Sequence, residues 1–256
     1  MEHSAQFQFY GRLQPLLVRP DEEGKVSCAF NQNPAVKDAV EALGIPHTEV
    51  DALAVNGACV SFDYHLQDTD QVAVYPHGWS QIPPDPVPLV PPPPEPPRFI
   101  LDVHLGKLAR RLRMLGFDCL YRNDYADAEI VEIACREQRI ILTRDRGLLK
   151  RKKVVWGCLM DGDHYPEQLQ ELEVRYGLLA KLNPLGRCPI CNGLLQAIEK
   201  EQIRDRLEPK TLLYYSEFRN CVDCGQIYWR GSHAEKVFEW IERLAREQPS
   251  KNDTET

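Results

Sequence analysis

At 256 residues and 43% hydrophobic content, the chain is long enough for two or three compact domains with ordinary cores. No apolar run approaches the ~18 residues of a membrane span, and the start MEHSAQFQFYGR lacks the basic and apolar regions of a secretory signal. A cytoplasmic location without membrane association is expected, where nine cysteines serve as thiols or metal ligands rather than a disulfide framework. The net charge of −7 is unevenly spread: residues 1–81 hold 4 Lys+Arg against 11 Asp+Glu, whereas residues 98–181 hold 16 against 13. An acidic head and a basic middle leave local binding to nucleic acid open.

Residues 1–81 read as a compact α+β unit. AQFQFYG alternates and predicts a strand, with KVSCAF as its hairpin partner. Asn33 and Pro34 start an amphipathic helix, PAVKDAVEALG, which Gly44 closes. ALAVNG and QVAVYP predict further short strands, and Asn56-Gly57 marks a tight turn. This order suggests a β-grasp. The segments VKDAVEALGIPHTEV, LAVNG and DQVAVYP also resemble the ubiquitin-like sulfur carriers of thiamine and molybdopterin synthesis. Carriers of that family act through a free C-terminal Gly-Gly. The matching end here is Pro76-His77-Gly78-Trp79 and the chain continues, so the resemblance implies a non-conjugating head that binds a protein partner or acts as a scaffold.

Residues 82–97, IPPDPVPLVPPPPEPP, carry ten prolines in sixteen positions. Such a segment cannot form a hydrogen-bonded ladder, and polyproline II geometry is expected. The reading is a semi-rigid linker, with a docking site for a proline-recognising partner as the sharper alternative.

Residues 98–181 alternate strand and helix. FILD predicts a buried strand, and HLGKLARRLRMLG a helix with Leu105, Leu108, Leu112 and Leu115 at helical spacing, ended by Gly116. FDCLY is a second strand and AEIVEIACREQ a second helix after Asp127. RIILTRD and VVWGCLM follow as strands and EQLQELEVRYGLL as a helix. The order predicts an α/β domain with a parallel sheet. In such sheets the carboxyl ends of the strands form the site. Asp102 and Asp145 end the first and third strands, and Asp127 at a helix start can project to the same edge. Together they are candidate ligands of Mg²⁺ or Mn²⁺, which prefer hard oxygen donors. Asp124 and Glu129 are nearby alternatives. Helix capping accounts for any one of these acids equally well; it is their recurrence that points to a site.

Two basic clusters suit a phosphate-bearing partner: Lys107, Arg110, Arg111 and Arg113 after the first strand, and Lys150, Arg151, Lys152 and Lys153 after the third. Arg144 and Arg146 flank Asp145. A solvated charged face is the plain alternative for each.

Residues 182–247 carry Cys188-Pro-Ile-Cys191 and Cys221-Val-Asp-Cys224, two C-x-x-C knuckles matching a tetrahedral structural zinc site. Gly193 and Gly225 suit the knuckle turns, and strands such as TLLYYSEF fill the interval. Four thiolates leave no open position for water, so the site is structural rather than catalytic. Tyr228 and Trp229 read as its small core or as base-stacking aromatics. HAEKVFEWIERLARE, beginning at His233, is a final helix, and residues 248–256 a disordered tail.

FILDVHLGKLARRLRMLGFD, RNDYADAEIVEIA and RIILTRDRGLL resemble the PIN-like RNase family named after the C-terminal region of the Mut-seven exonuclease, over residues 98–240 or so. The resemblance implies a PIN-like parallel-sheet nuclease domain with a zinc ribbon. It implies Asp102, Asp127 and Asp145 as both metal ligands and catalytic residues, hydrolysing RNA phosphodiester bonds with Mg²⁺ or Mn²⁺. The glutamate that such domains carry between the first two acids has no counterpart here; Asp161 and Asp163 are the candidates to complete the set. The rival reading is a non-catalytic RNA- or ribosome-binding adaptor, and a third places the head near sulfur transfer or RNA modification.

Overall fold

The computed structural model describes residues 3–18, 21 and 23–230. The helix expected from His233 and the tail at 248–256 lie outside the described residues. In chain order the elements are β1 (His3–Phe9), β2 (Lys25–Phe30), α1 (Val36–Ala42), β3 (Val50–Val55), β4 (Ala58–Cys59) and β5 (Gln71–Pro76). Then come β6 (Phe99–Leu101), α2 (Gly106–Met114), β7 (Cys119–Tyr121), α3 (Asp127–Glu137), β8 (Ile140–Thr143), α4 (Arg146–Leu149), β9 (Gly157–Leu159) and α5 (Tyr165–Tyr176). The described chain closes with β10 (Leu195–Ile198), α6 (Pro209–Tyr214), β11 (Phe218–Cys221) and β12 (Ile227–Trp229). The described residues within 1–94 and 125–160 cluster as one compact unit, and those within 95–124 and 161–256 as a second.

In the first unit, β1 to β5 form a mixed sheet in the order β2-β1-β5-β3-β4. β1 and β2 make an antiparallel hairpin, while β1 and β5 run parallel at the centre, the arrangement of a β-grasp. Alternation along β1 explains why it forms: Ala5, Phe7 and Phe9 are buried, with Phe7 beside Val72 and Phe9 beside Val74 of β5, and Val36 and Val40 of α1 and Leu53 of β3 are buried as well. Each fully buried phenylalanine contributes on the order of 2–3 kcal/mol by its removal from water. Asn56 and Gly57 both have positive φ, 51° and 85°, as a two-residue hairpin turn requires.

The same unit contains α3, β8, α4 and β9. All four residues of β8 are buried, and β8 pairs in parallel with β9 from Ile141↔Gly157 to Thr143↔Leu159. The head is fastened directly to this segment. The fully buried Glu49 carboxylate accepts from the Leu159 amide at 2.7 Å and from Arg12 at 2.5 Å. His47, equally buried, faces Glu41 at 2.6 Å through Nδ1 and the Val154 carbonyl at 2.9 Å through Nε2. The proline-rich segment is also tied down on this side, because Trp156 Nε1 donates to the Pro91 carbonyl at 2.8 Å.

In the second unit, β6 pairs in parallel with β7, and all three β6 residues are buried. Leu108, Ala109 and Leu112 form the inner stripe of α2. Its exit requires glycine: Gly116 has φ +98°, and a Cβ there would meet the Asn183 carbonyl oxygen at 2.1 Å. Each unit thus holds one parallel strand pair, β6 with β7 here and β8 with β9 in the first unit, with helices between them in the sequence, the expected α/β pattern. β10, β11 and β12 form an antiparallel three-stranded ribbon. TLLYYSEF does not form a strand throughout. Its first four residues belong to α6, where Pro209 occupies the first turn, and extended structure resumes at Phe218. A short apolar run is ambiguous between the two states, and the proline favours the helical start.

Candidate active site and zinc centre

Asp102 directly follows β6 and is 8% exposed. It is an N-cap, its Oδ1 accepting from the Val103 amide at 2.5 Å. Asp145 lies two residues beyond β8 and caps α4, accepting from the Gly147 amide at 2.7 Å. Its own amide donates to Thr143 Oγ1 at 2.9 Å. Both carboxylates therefore stand at the C-terminal ends of parallel strands and are fixed by their caps. Asp127 is different. The N-cap of α3 is Ala126, and Asp127 is the first helical residue, paired with Arg151 at 3.1 Å. Capping accounts for Asp102 and Asp145 locally, but not for Asp127. Asp124 is exposed and held by Arg122 at 2.8 Å, whose hydrogen bond pulls its carboxyl below the usual range. Asp161 and Asp163 are exposed in the loop before α5.

The basic residues divide by what they touch. Arg146 donates to the Leu16 carbonyl at 2.7 Å and Lys150 to the Glu41 carbonyl at 2.6 Å, so both fasten the head. Arg151 serves Asp127. Arg144, Lys152 and Lys153 are exposed. On α2, Lys107 and Arg110 are exposed, and Arg111 lies over the Tyr165 ring at 4.7 Å. Arg113 leaves the group altogether: it is 5% exposed and donates to the carbonyls of Cys119 at 2.9 Å, Pro189 at 3.3 Å and Ile190 at 2.8 Å. Burial holds its guanidinium below the ordinary arginine value.

Cys188, Cys191, Cys221 and Cys224 bring four sulfurs within 4.8 Å of one another, the set of metal-capable side chains assembled this closely among the described residues. Cys188 Sγ lies 3.7 Å from Cys224 Sγ, and Cys191 Sγ 3.3 Å from Cys221 Sγ. A tetrahedral zinc with bonds of ~2.3 Å sets its sulfurs about 3.8 Å apart, and a disulfide would set them at about 2.05 Å. The donor set thus fits zinc. Burial opposes ionisation of Cys188, but hydrogen bonds from the Cys191 and Ile190 amides and the Tyr228 hydroxyl prevail and bring its thiol down to about 7. Burial pushes the Cys191 thiol up to about 12. Tyr228, half-buried and 3.0 Å from Cys188 Sγ, is raised as well.

The knuckle turns differ from expectation at one position. In each knuckle the residue after the second cysteine is left-handed, Asn192 with φ 71° and Gly225 with φ 70°. Gly193 is required for space instead, since a Cβ there would meet Asp223 Oδ2 at 2.2 Å. Asn192 also accepts from the Cys119 amide at 3.0 Å and donates to Asp118 at 2.8 Å. Asn192 and Arg113 thereby bind the first knuckle to β7 and α2. An asparagine directly after a C-x-x-C pair was the available signal; Arg113 carried none.

The chain thus combines parallel strand pairs that end in capped aspartates with a four-thiolate ribbon. Comparison with family models finds the Mut7-C RNAse domain over residues 97–241 and the Mut7-C ubiquitin domain over residues 2–81. The chain belongs to the Mut7-C RNAse domain family, with the ubiquitin-like domain of that family at its head. No curated protein and no solved structure matches it. No helix among the described residues is long and apolar enough to cross a membrane.

Proposed function

We propose that the protein is a metal-dependent ribonuclease hydrolysing RNA phosphodiester bonds, with Asp102, Asp127 and Asp145 as ligands of Mg²⁺ or Mn²⁺. The observation that carries this reading is the coincidence of an RNAse-family match with two aspartates fixed at the C-terminal ends of parallel strands. The ion, when bound, supplies an activated water and offsets charge on the scissile phosphate. The caps leave each of Asp102 and Asp145 with one oxygen engaged by a backbone amide, which holds the carboxylate plane in place. Arg151 orients Asp127, and must yield part of that pairing for the carboxylate to bind metal.

In this reading the ribbon is a structural zinc module, and the head, at 1–81, is a non-conjugating scaffold joined through residues 82–97 to the nuclease domain at 98–181 and the ribbon at 182–247. Unbridged cysteines support a reducing, cytoplasmic setting. The test uses zinc-loaded protein and labelled RNA, single-stranded or hairpin, with Mg²⁺, with Mn²⁺, or with no added divalent ion. Cleavage that requires the added ion is expected. Retention of RNA with no cleavage under any condition would favour the adaptor reading instead.

A further inference from the structure

A cleft of about 640 Å³ opens in the second unit between α2, the start of α5 and the ribbon. Lys107, Arg110, Arg111, His164, Tyr165 and Trp229 line it, with Asp163 as the carboxylate among its walls. The volume falls within the ~300–1,000 Å³ typical of ligand clefts. Lys107 and Arg110 are exposed and make no ion pair among the described residues, in contrast to Arg146, Lys150 and Arg151, which are already engaged. Arg111 is stacked on Tyr165, so it stiffens that ring rather than reaching into solvent. Trp229 is half-buried and kept in place by Phe218 and Tyr215, with ring centroids 6.2 Å away in each case.

We propose that this cleft binds single-stranded RNA beside the scissile bond, with phosphates on Lys107 and Arg110 and an unpaired base against Tyr165 and Trp229. The inference deepens the ribonuclease reading and rests on it for the substrate class. Cations and aromatic rings lining one cleft are what a single strand needs: backbone charge is met by the former and exposed base faces by the latter. In a duplex the base faces are covered, so the rings would have nothing to stack on.

The test is fluorescence anisotropy with a labelled dodecauridylate and zinc-loaded full-length protein, without added divalent ions. Lys107→Glu with Arg110→Glu should weaken binding at least tenfold. It should also flatten the dependence of log Kd on log salt by about 1.4, at ~0.7 per lost phosphate contact. Tyr165→Leu should weaken binding about fivefold and leave the salt slope unchanged. Arg136→Glu with Lys210→Glu, which makes the same change in net charge outside the cleft, should stay within twofold of wild type. Equal losses from this control pair, or wild-type binding by the cleft variants, would overturn the proposal. So would equal affinity for a twelve-base-pair duplex, or displacement of the RNA by oligoglutamate as readily as by unlabelled oligouridylate. Cleavage with Mn²⁺, assayed in parallel, separates the two readings. A wild type that cleaves alongside cleft variants that bind normally sinks the cleft alone. A wild type that never cleaves, with cleft variants that lose binding, sinks the nuclease and supports the cleft.

Discussion

Arg113 shows how far a residue's role can depart from its local pattern. By spacing it belongs with Lys107, Arg110 and Arg111, yet it is a buried clamp on three carbonyls, two of them between the zinc-ligand cysteines. Removing a charged donor from buried acceptors costs roughly 2–4 kcal/mol. Arg113→Ala should therefore lower the denaturation midpoint and weaken zinc retention, whereas Arg110→Ala should change neither; chemical unfolding with a zinc-release assay distinguishes them. The aspartates invite the complementary experiment. Asp102 and Asp145 are caps, and asparagine caps nearly as well, so Asp145→Asn should stay within about 0.5 kcal/mol of wild type while Asp145→Ala loses about 1 kcal/mol. The strand-end aspartates and the C-x-x-C pairs were legible in the sequence, because their meaning lies in spacing along one or two elements. Arg113, Glu49 and His47 were not, since their partners lie 77, 110 and 107 residues away.

Among the elements, the ribbon depends most on a single interaction. Its own cores are small, Cys188, Leu195 and Cys221 in one and Ile203, Phe218 and Ile227 in the other. Structural zinc supplies ~10–16 kcal/mol of apparent binding energy in comparable small modules. Stripping the metal should therefore unfold β10 to β12 and leave β1 to β5 intact, as read by amide exchange. The pH dependence has a definite sign. Zinc binds thiolates, and the Tyr228 hydroxyl and the knuckle amides lower the Cys188 thiol while burial raises that of Cys191. Zinc must displace protons from the thiols it binds, so its affinity should fall as pH drops, and it should be weaker at a given neutral pH in Tyr228→Phe, which lacks a hydrogen bond favouring the Cys188 thiolate. The β-grasp strands and the α/β alternation could be read from periodicity. The helix at Pro209–Tyr214 could not, because an apolar run of that length fits either state.

At the scale of the whole molecule, the proline-rich segment suggests a head on a spacer, but the head and residues 125–160 form one compact unit. Glu49 is the centre of that union, fully buried and shared between Arg12 and the Leu159 amide. Arg12 is half-buried, so the main cost of losing Glu49 is the buried Leu159 amide left without its acceptor, about 1–3 kcal/mol. Glu49→Ala should accordingly destabilise β8 and β9 along with the head, and a variant in which only the head melts would argue against the union. The proposed cleavage depends on the strand-end aspartates. The most direct measurement of their role is the rate of Mn²⁺-dependent RNA cleavage by zinc-loaded Asp102→Asn/Asp145→Asn protein beside the wild type. A folded, zinc-retaining variant with cleavage lowered at least a thousandfold, about 4 kcal/mol of barrier, is expected. Undiminished cleavage by that variant would contradict the assignment of these carboxylates.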